Sequence, residues 1–482
     1  MPDPDATPAG PAEARAMDDG HVVVCGAGVV GLALAMMLAG DGRRVTVLES
    51  DPAPAPDAAA AAWSAWSRRG VAQFHQPHCV FPRFRHICDE GLPGVTDALL
   101  GVGCRAFDPL DASPPSLGDH APRPDDGRLR WVTGRRPVLE AVLAQRAEHQ
   151  PMLTVRRGVR VTGLLDGPRV LEGVPHVAGV ITDRGERLRA DLVVDAMGRR
   201  TPADAWLADL GAVPPERVAE DSGFAYYTRY FSGPLPEWQS GPLTPYGTVT
   251  VLTLPSDNDT WSVTVFGSSG DVPVKELRRP DCFDRVLHGF PLQAHWVDAP
   301  AEPGVEVMAG VLDRTRSLVV DGSPVVTGFT AVGDAWACTN PSAGKGISVG
   351  LMHAELLRDV LRVHPDEPTA FAAAFHELGD DRVAPYVRNQ LRADRARVAE
   401  MDALRRGEAP PAPDPDVAAF AAAAMEDPEV FRALLEVLTC LALPSEVLAR
   451  PHIGAAVARR RGQAPEPPPG PDRTELLDLI AG

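Results

Sequence analysis

Gly26, Gly28 and Gly31 stand at G-x-G-x-x-G spacing, and Glu49 follows them. Such glycines let a backbone turn tightly, approach a pyrophosphate and pack a helix on a strand. An acid further along accepts hydrogen bonds from a ribose hydroxyl. The chemistry this points to is dinucleotide binding. Arg68-Arg69-Gly70-Val71 comes next: its cations can grip phosphate or ribose, and the Gly70-Val71 backbone can lie against a flat ring. Two further stretches end in an acid and a glycine, Asp195-Ala-Met-Gly198 and Gly333-Asp334. After the second comes Asn340-Pro341-Ser-Ala-Gly344-Lys345-Gly346. Gly344 and Gly346 permit close backbone approach. The helix start beyond them offers unpaired N–H groups and a positive dipole end to an electron-rich ring edge. His75, His78 and Cys79 have a spacing a metal could use, but no second ligand pair accompanies them, so no metal site is expected.

Elements must position these residues. Residues 21–25 are a β-branched run suited to a buried parallel strand, LALAMMLAG reads as a helix, and residues 44–49 read as a second strand ending in Glu49. The uncharged run over 22–40 is long enough to cross a bilayer. Its glycines, and the charges that lead from it into another strand, favour strand, turn and helix, so no integral membrane segment is expected. Arg136 opens the helix-like RPVLEAVLAQRA. Ile347, Leu351, Ala354, Leu357 and Leu361 share one face at helical spacing. Residues 224–231, 248–254 and 261–266 read as strands, with a turn at Asn258. Tyr226 and Tyr227 are candidates for substrate contact, and Arg229 and His75 for proton transfer. Residues beyond 365 read as helices broken by proline-rich runs.

Composition sets bounds. The chain has 482 residues, 44% of them hydrophobic, enough for two or three compact units. With 47 basic against 65 acidic residues the net charge is -18, so no nucleic-acid partner is expected. The seven cysteines are scattered and odd in number, which argues for a reducing cytoplasm over a disulfide scaffold. The first nineteen residues lack a basic start and an apolar core and read as a disordered acidic tail, not a secretory signal.

The order G-x-G-x-x-G…E, R-x-G-V…Q, D-x-x-G-R and G-D…N-P-x-x-G-x-G resembles the FAD-dependent monooxygenase superfamily of aromatic hydroxylases, epoxidases, halogenases and geranylgeranyl-type reductases. RRGVAQFHQPH and GDAWACTNPSAGKG look closest to bacterial epoxidase- and hydroxylase-like members of secondary metabolism. The resemblance implies an α/β fold: a Rossmann-like FAD-binding domain over 20–200 and 322–364, an inserted antiparallel β-sheet substrate domain over 201–321, and a helical region over 365–482. It implies that Gly26, Gly28 and Gly31 approach the pyrophosphate, Glu49 the ribose, and Arg68 ribose or pyrophosphate. Arg136 would support the cofactor, Asp334 the ribityl chain, and the backbone at Gly344 to Gly346 the flavin ring. Gly70, Val71, Asp195, Gly333, Pro341 and Lys345 complete the cofactor set.

The implied activity is hydroxylation or epoxidation of a hydrophobic small molecule through a flavin peroxy intermediate. O2 is a co-substrate, and NAD(P)H or a partner flavin reductase is the electron source. A reductase or dehydrogenase of a prenyl-like substrate shares every cofactor motif and stays open. Two departures matter. Ala196 and Met197 separate Asp195 from Gly198, unlike the adjacent Asp-Gly of aromatic hydroxylases. The spacing of Trp63 and Trp66 does not fit the W-x-W-x-I-P motif of halogenases.

Overall fold

The computed structural model describes residues 20–221 and 223–482; the tail expected over 1–19 lies outside them. The first strand, β1 (His21–Cys25), is buried along its whole length because it has a neighbour on each side. The glycine turn follows, then α1 (Val29–Gly40), whose VVGLALAMMLAG sequence is apolar all round. A helix of that kind must be covered on every face. One face meets the sheet, and others meet α2 (Arg136–Glu148) and a later helix. Next along the chain are β2 (Arg44–Glu49), β3 (Leu153–Arg157) and β4 (Leu192–Asp195). All pairings are parallel, in the order β4-β1-β2-β3.

Two glycines make this junction possible. A Cβ on Gly31 would lie 2.2 Å from the Gly26 carbonyl oxygen, so the helix could not sit this close to the strand with any side chain there. Gly26 has φ +109, and a Cβ would meet the Ala196 carbonyl at 2.5 Å. Gly28 differs: nothing stands within 4 Å of its Cβ position.

An antiparallel sheet follows, built from β5 (Phe224–Ser232), β6 (Leu243–Tyr246), β7 (Val249–Pro255), β8 (Thr260–Ser268) and β9 (Glu306–Ala309) in the order β6-β7-β8-β5-β9. Asn258 and Asp259 both take positive φ at the β7–β8 turn, a conformation that favours short polar residues. The chain then returns to the parallel sheet. β10 (Phe329–Ala331) pairs with β4 in register Val194↔Thr330, so the first sheet is completed only after the second has been built. From there α3 (Gly346–Val363) crosses α1, where a Cβ on Gly350 would lie 2.6 Å from Val30. Helices make up the rest of the chain, among them α4 (Ala384–Arg405). All seven cysteines are buried and unpaired. Among the described residues no helix is long and apolar enough to cross a membrane.

Candidate cofactor and active site

Carboxylates and guanidiniums alternate along the C-terminal edge of the parallel sheet. Glu49, at the end of β2, accepts from the backbone N–H of Ala27 at 3.0 Å and of Asp51 at 2.9 Å. Arg68 donates to Glu49 at 2.5 Å, to the Ala27 carbonyl at 3.0 Å and to Glu140 at 2.5 Å. Arg136 donates to the other Glu140 oxygen at 2.6 Å, one helical turn away on α2, and to His78 Nε2 at 2.9 Å. Burial alone would raise the Glu140 carboxyl, but Arg136 and Arg68 outweigh it and hold it below the usual range. Burial, then the Arg136 charge, pushes His78 down to about 3. Its imidazole is therefore neutral. The hydrogen bonds assign the tautomer: Nδ1–H donates to the Gln76 carbonyl at 2.8 Å and Nε2 accepts from Arg136. His78 thus braces the Arg136 guanidinium. Glu140 was not among the expected site residues. Its signal was one acid inside an apolar helix, four residues after an arginine.

The second edge lies beyond β10. Gly333 takes φ +59 and Asp334 follows it, half-buried and with no hydrogen-bond partner among the described residues. Burial raises its carboxyl, while Arg136, Arg199 and Arg314 act against the shift. The loop from Asn340 to Gly346 faces the antiparallel sheet, where the Tyr226 hydroxyl donates to the Asn340 side chain. A Cβ on Gly344, at φ +67, would lie 3.4 Å from the Phe81 ring. Pro341 and Gly344 are exposed; Lys345 and Gly346 are half-buried at the head of α3. From behind, α4 supports this loop: Ser342 donates to Asp394, and Gln390 donates to Asp394 at 3.0 Å and to Ser342 at 2.9 Å. Asp394 is pushed up to about 6, by burial first and then by the Asp313 charge, against the lowering bonds of Ser342 and Gln390.

The alternation of β5 separates its candidates. Tyr226, Thr228 and Tyr230 point toward the segments that carry the expected cofactor residues: Tyr226 donates to Asn340, Thr228 to Gln76 at 3.1 Å and Tyr230 to the His75 carbonyl at 3.2 Å. Tyr227 and Arg229 point the other way. Tyr227 is buried among Val251, Val263 and Phe283 on the far face, and Arg229 pairs with Asp284 of the helix Pro280–His288. The expectation of substrate contact at Tyr227 and proton transfer at Arg229 is therefore corrected, because side chains of adjacent strand residues take opposite faces. His75 stays on the cofactor side, half-buried, its ring 4.9 Å from Trp63. Asp195 is also corrected. It is fully buried at the end of β4, and its carboxylate accepts from Arg316 at 2.9 Å, Thr201 at 2.7 Å and the Met197 N–H at 3.0 Å. It braces the turn that meets Gly26 and has no free face toward a ligand. Gly70 is exposed, and Val71 leans on the core beside α1 and α2.

These features suit a dinucleotide. The open space at Gly28 heads α1, and among the described residues Arg68 Nε is buried without an acceptor and the Asp334 carboxylate has no hydrogen-bond partner. The relatives agree. Residues 21–92 match the family "FAD dependent oxidoreductase". The crystal structure of pqsL, a probable FAD-dependent monooxygenase from Pseudomonas aeruginosa, superposes with TM-score 0.59 over 80% of this chain and 96% of that one, at 17% identity. OxyS anhydrotetracycline hydroxylase from Streptomyces rimosus gives 0.55 over 88% and 76%, at 18% identity. The fold is the one these two proteins share. It is also that of the Diels-Alderase PyrE3 of pyrroindomycin biosynthesis, with TM-score 0.58 over 87% of this chain and 80% of that one, at 16% identity. Protein Rv3254 of Mycobacterium tuberculosis is 28% identical over 376 residues, 71% of this chain and 73% of its own.

Proposed function

We propose that this chain is an FAD-dependent monooxygenase that hydroxylates or epoxidises an apolar small molecule in secondary metabolism, with electrons from NAD(P)H directly or through a flavin reductase. The observation that carries the reading is the wall beside Gly344. Cys79, Phe81, Phe107, Trp131, Leu252 and Leu254 form one apolar cluster, and Phe81 reaches the loop expected to face the flavin ring. An oxidation that must exclude water needs such a wall against the reactive group.

When bound, FAD supplies the two reducing equivalents and the activation of dioxygen. The chain's residues do the rest. Glu49, Arg68 and Arg136 hold ribose and phosphates from a network that is already neutralised and fixed, so little ordering is left for binding. Asp334 accepts from ribityl hydroxyls. The first turn of α3 would offer its N–H groups and positive dipole end to the ring edge. The Asp394 carboxylate accepts from Ser342 Oγ and Gln390 and so fixes the same loop from beneath. The wall of Phe81, Trp131 and Leu254 excludes water and orients a flat apolar substrate.

The test is anaerobic reduction of the purified flavoprotein, then rapid mixing with oxygenated buffer under a diode array. A transient spectrum unlike either reduced or oxidised flavin, together with an oxygenated product, supports the proposal. Direct one-step reoxidation, with and without apolar candidate substrates, overturns it in favour of a reductase or dehydrogenase. A protein that takes up no FAD overturns both.

A further inference from the structure

Among the described residues, five buried nitrogen atoms around the end of the parallel sheet have no acceptor: Trp66 Nε1, Arg68 Nε, and Nε, Nη1 and Nη2 of Arg157. Leaving one buried donor unmet is costly; leaving a whole guanidinium so is a large and specific penalty. The Arg157 side chain is 10% exposed, and its one ion pair among the described residues, with Glu148, is 3.8 Å long, beyond hydrogen-bond reach. The Trp66 ring has the Arg68 guanidinium 5.6 Å and the Arg157 guanidinium 5.9 Å from its centre. Glu49, Arg68, Glu140 and Arg136 alternate in sign and cancel; Arg157 has no such place in the chain of charges. Its pKa is lowered, by burial first and then by the like charge of Arg68.

The topology says which part of a ligand would meet it. Asp334 follows β10 at one edge of the sheet, Glu49 ends β2, and Arg157 ends β3 at the opposite edge, directly across from Glu49 in register. A dinucleotide crossing the C-terminal ends of the strands, with its ribityl chain at Asp334 and its ribose at Glu49, brings its adenosine end to β3. Adenosine offers acceptors there, its ring nitrogens and ribose oxygens. We propose that Arg157 and Trp66 hold the adenosine half of FAD and give the site its preference for the dinucleotide over FMN. The inference rests on the FAD reading above.

The experiment uses apoprotein of wild type, Arg157→Met and Trp66→Phe, titrated with FAD, FMN and ADP by fluorescence, with thermal unfolding of each apoprotein. Arg157→Met should weaken FAD at least about tenfold, the scale of one charge-assisted hydrogen bond. ADP should lose its ability to compete, and FMN affinity should be unchanged. The apoprotein Tm should hold or rise, since an unpaired buried charge is removed. Trp66→Phe keeps the ring, removes one donor and should weaken FAD several-fold. FAD affinity within twofold across all three proteins overturns the inference. So does an Arg157→Met apoprotein that melts lower with its FAD-to-FMN ratio unchanged, because Arg157 would then be a structural residue. Wild-type protein that binds no FAD at all is a different outcome, and it overturns the FAD reading itself.

Discussion

Glu140→Gln tests the charge network most directly. Glu140 is 1% exposed and accepts from Arg68 at 2.5 Å and Arg136 at 2.6 Å. In the wild type the four groups read minus, plus, minus, plus. The substitution keeps the shape and leaves one net buried positive charge. Its new amide NH2 also faces one guanidinium donor with another donor, so at least one of the two short bonds is lost outright. Breaking a buried pair by removing one partner costs about 3–5 kcal/mol, most of it the desolvation of the charge left behind. Urea unfolding of the apoprotein should show that loss, with little dependence on salt because water and ions do not reach the pair. The pH dependence has a definite sign. The folded Glu140 carboxyl is held below its usual range, so its contribution is complete above about pH 4.3 and fades as pH falls through the folded value. The gap between wild type and variant should therefore narrow only in acid. A loss under about 1 kcal/mol at neutral pH, or a gap that does not narrow in acid, would refute the reasoning.

Other outcomes follow from the same geometry. Gly28→Val should leave the apoprotein stable but block FAD uptake, whereas Gly31→Ala, with its Cβ 2.2 Å from a carbonyl oxygen, should cost about 3 kcal/mol or more of stability; flavin content and unfolding midpoints separate the two. Asp334→Ala should weaken FAD at least about tenfold in a fluorescence titration with the apoprotein Tm unchanged. Asp394, raised from 3.8 to about 6 in the fold, stabilises fully below its unfolded value and loses that contribution as pH rises through about 6; Asp394→Asn should flatten this fall in a Tm series from acid to neutral pH. Arg229→Met should leave flavin content and turnover intact and cost at most about 1 kcal/mol, since it breaks only a partly exposed pair on the far face of the sheet.

The elements around the glycine turn were legible because each is fixed locally: a β-branched run, a turn no other residue permits, an apolar helix, an acid at the next strand's end. The faces of β5 were not. Almost every position from Phe224 to Phe231 is buried, so the strand carries apolar residues on both sides and the usual alternation of apolar and polar is erased. Period two still forbids Tyr226 and Tyr227 from sharing a face. Only the hydrogen bonds of Tyr226, Thr228 and Tyr230 say which set faces the cofactor side. Glu140, with only a weak signal, and Arg157, with none, are hard to read for another reason. Each looks like an ordinary surface charge on an amphipathic element until a distant segment covers it: Arg68 over Glu140, and Trp66 beside Arg157.

Asp195 and Asp334 show the limit most clearly. Asp195 ends a buried parallel strand and Asp334 follows one, both stand near a glycine at positive φ, and both answer to the same motif logic. Their difference lies in what comes from elsewhere in the chain. The strand Leu312–Ser317 carries Arg316 into the back of the β4 turn, and three donors consume the Asp195 carboxylate. At Asp334 the cations are Arg136, Arg199 and Arg314. Each acts on the carboxylate through its field, and none of them bonds to it. Asp195 is thereby spent on holding Ala196 against Gly26, which in turn permits the close seat of α1. Asp334 keeps its lone pairs in a positive field, the condition for accepting hydroxyls from a ligand that arrives after folding. Asp195 shapes the turn that seats α1, and one of its three donors is an arginine more than a hundred residues away.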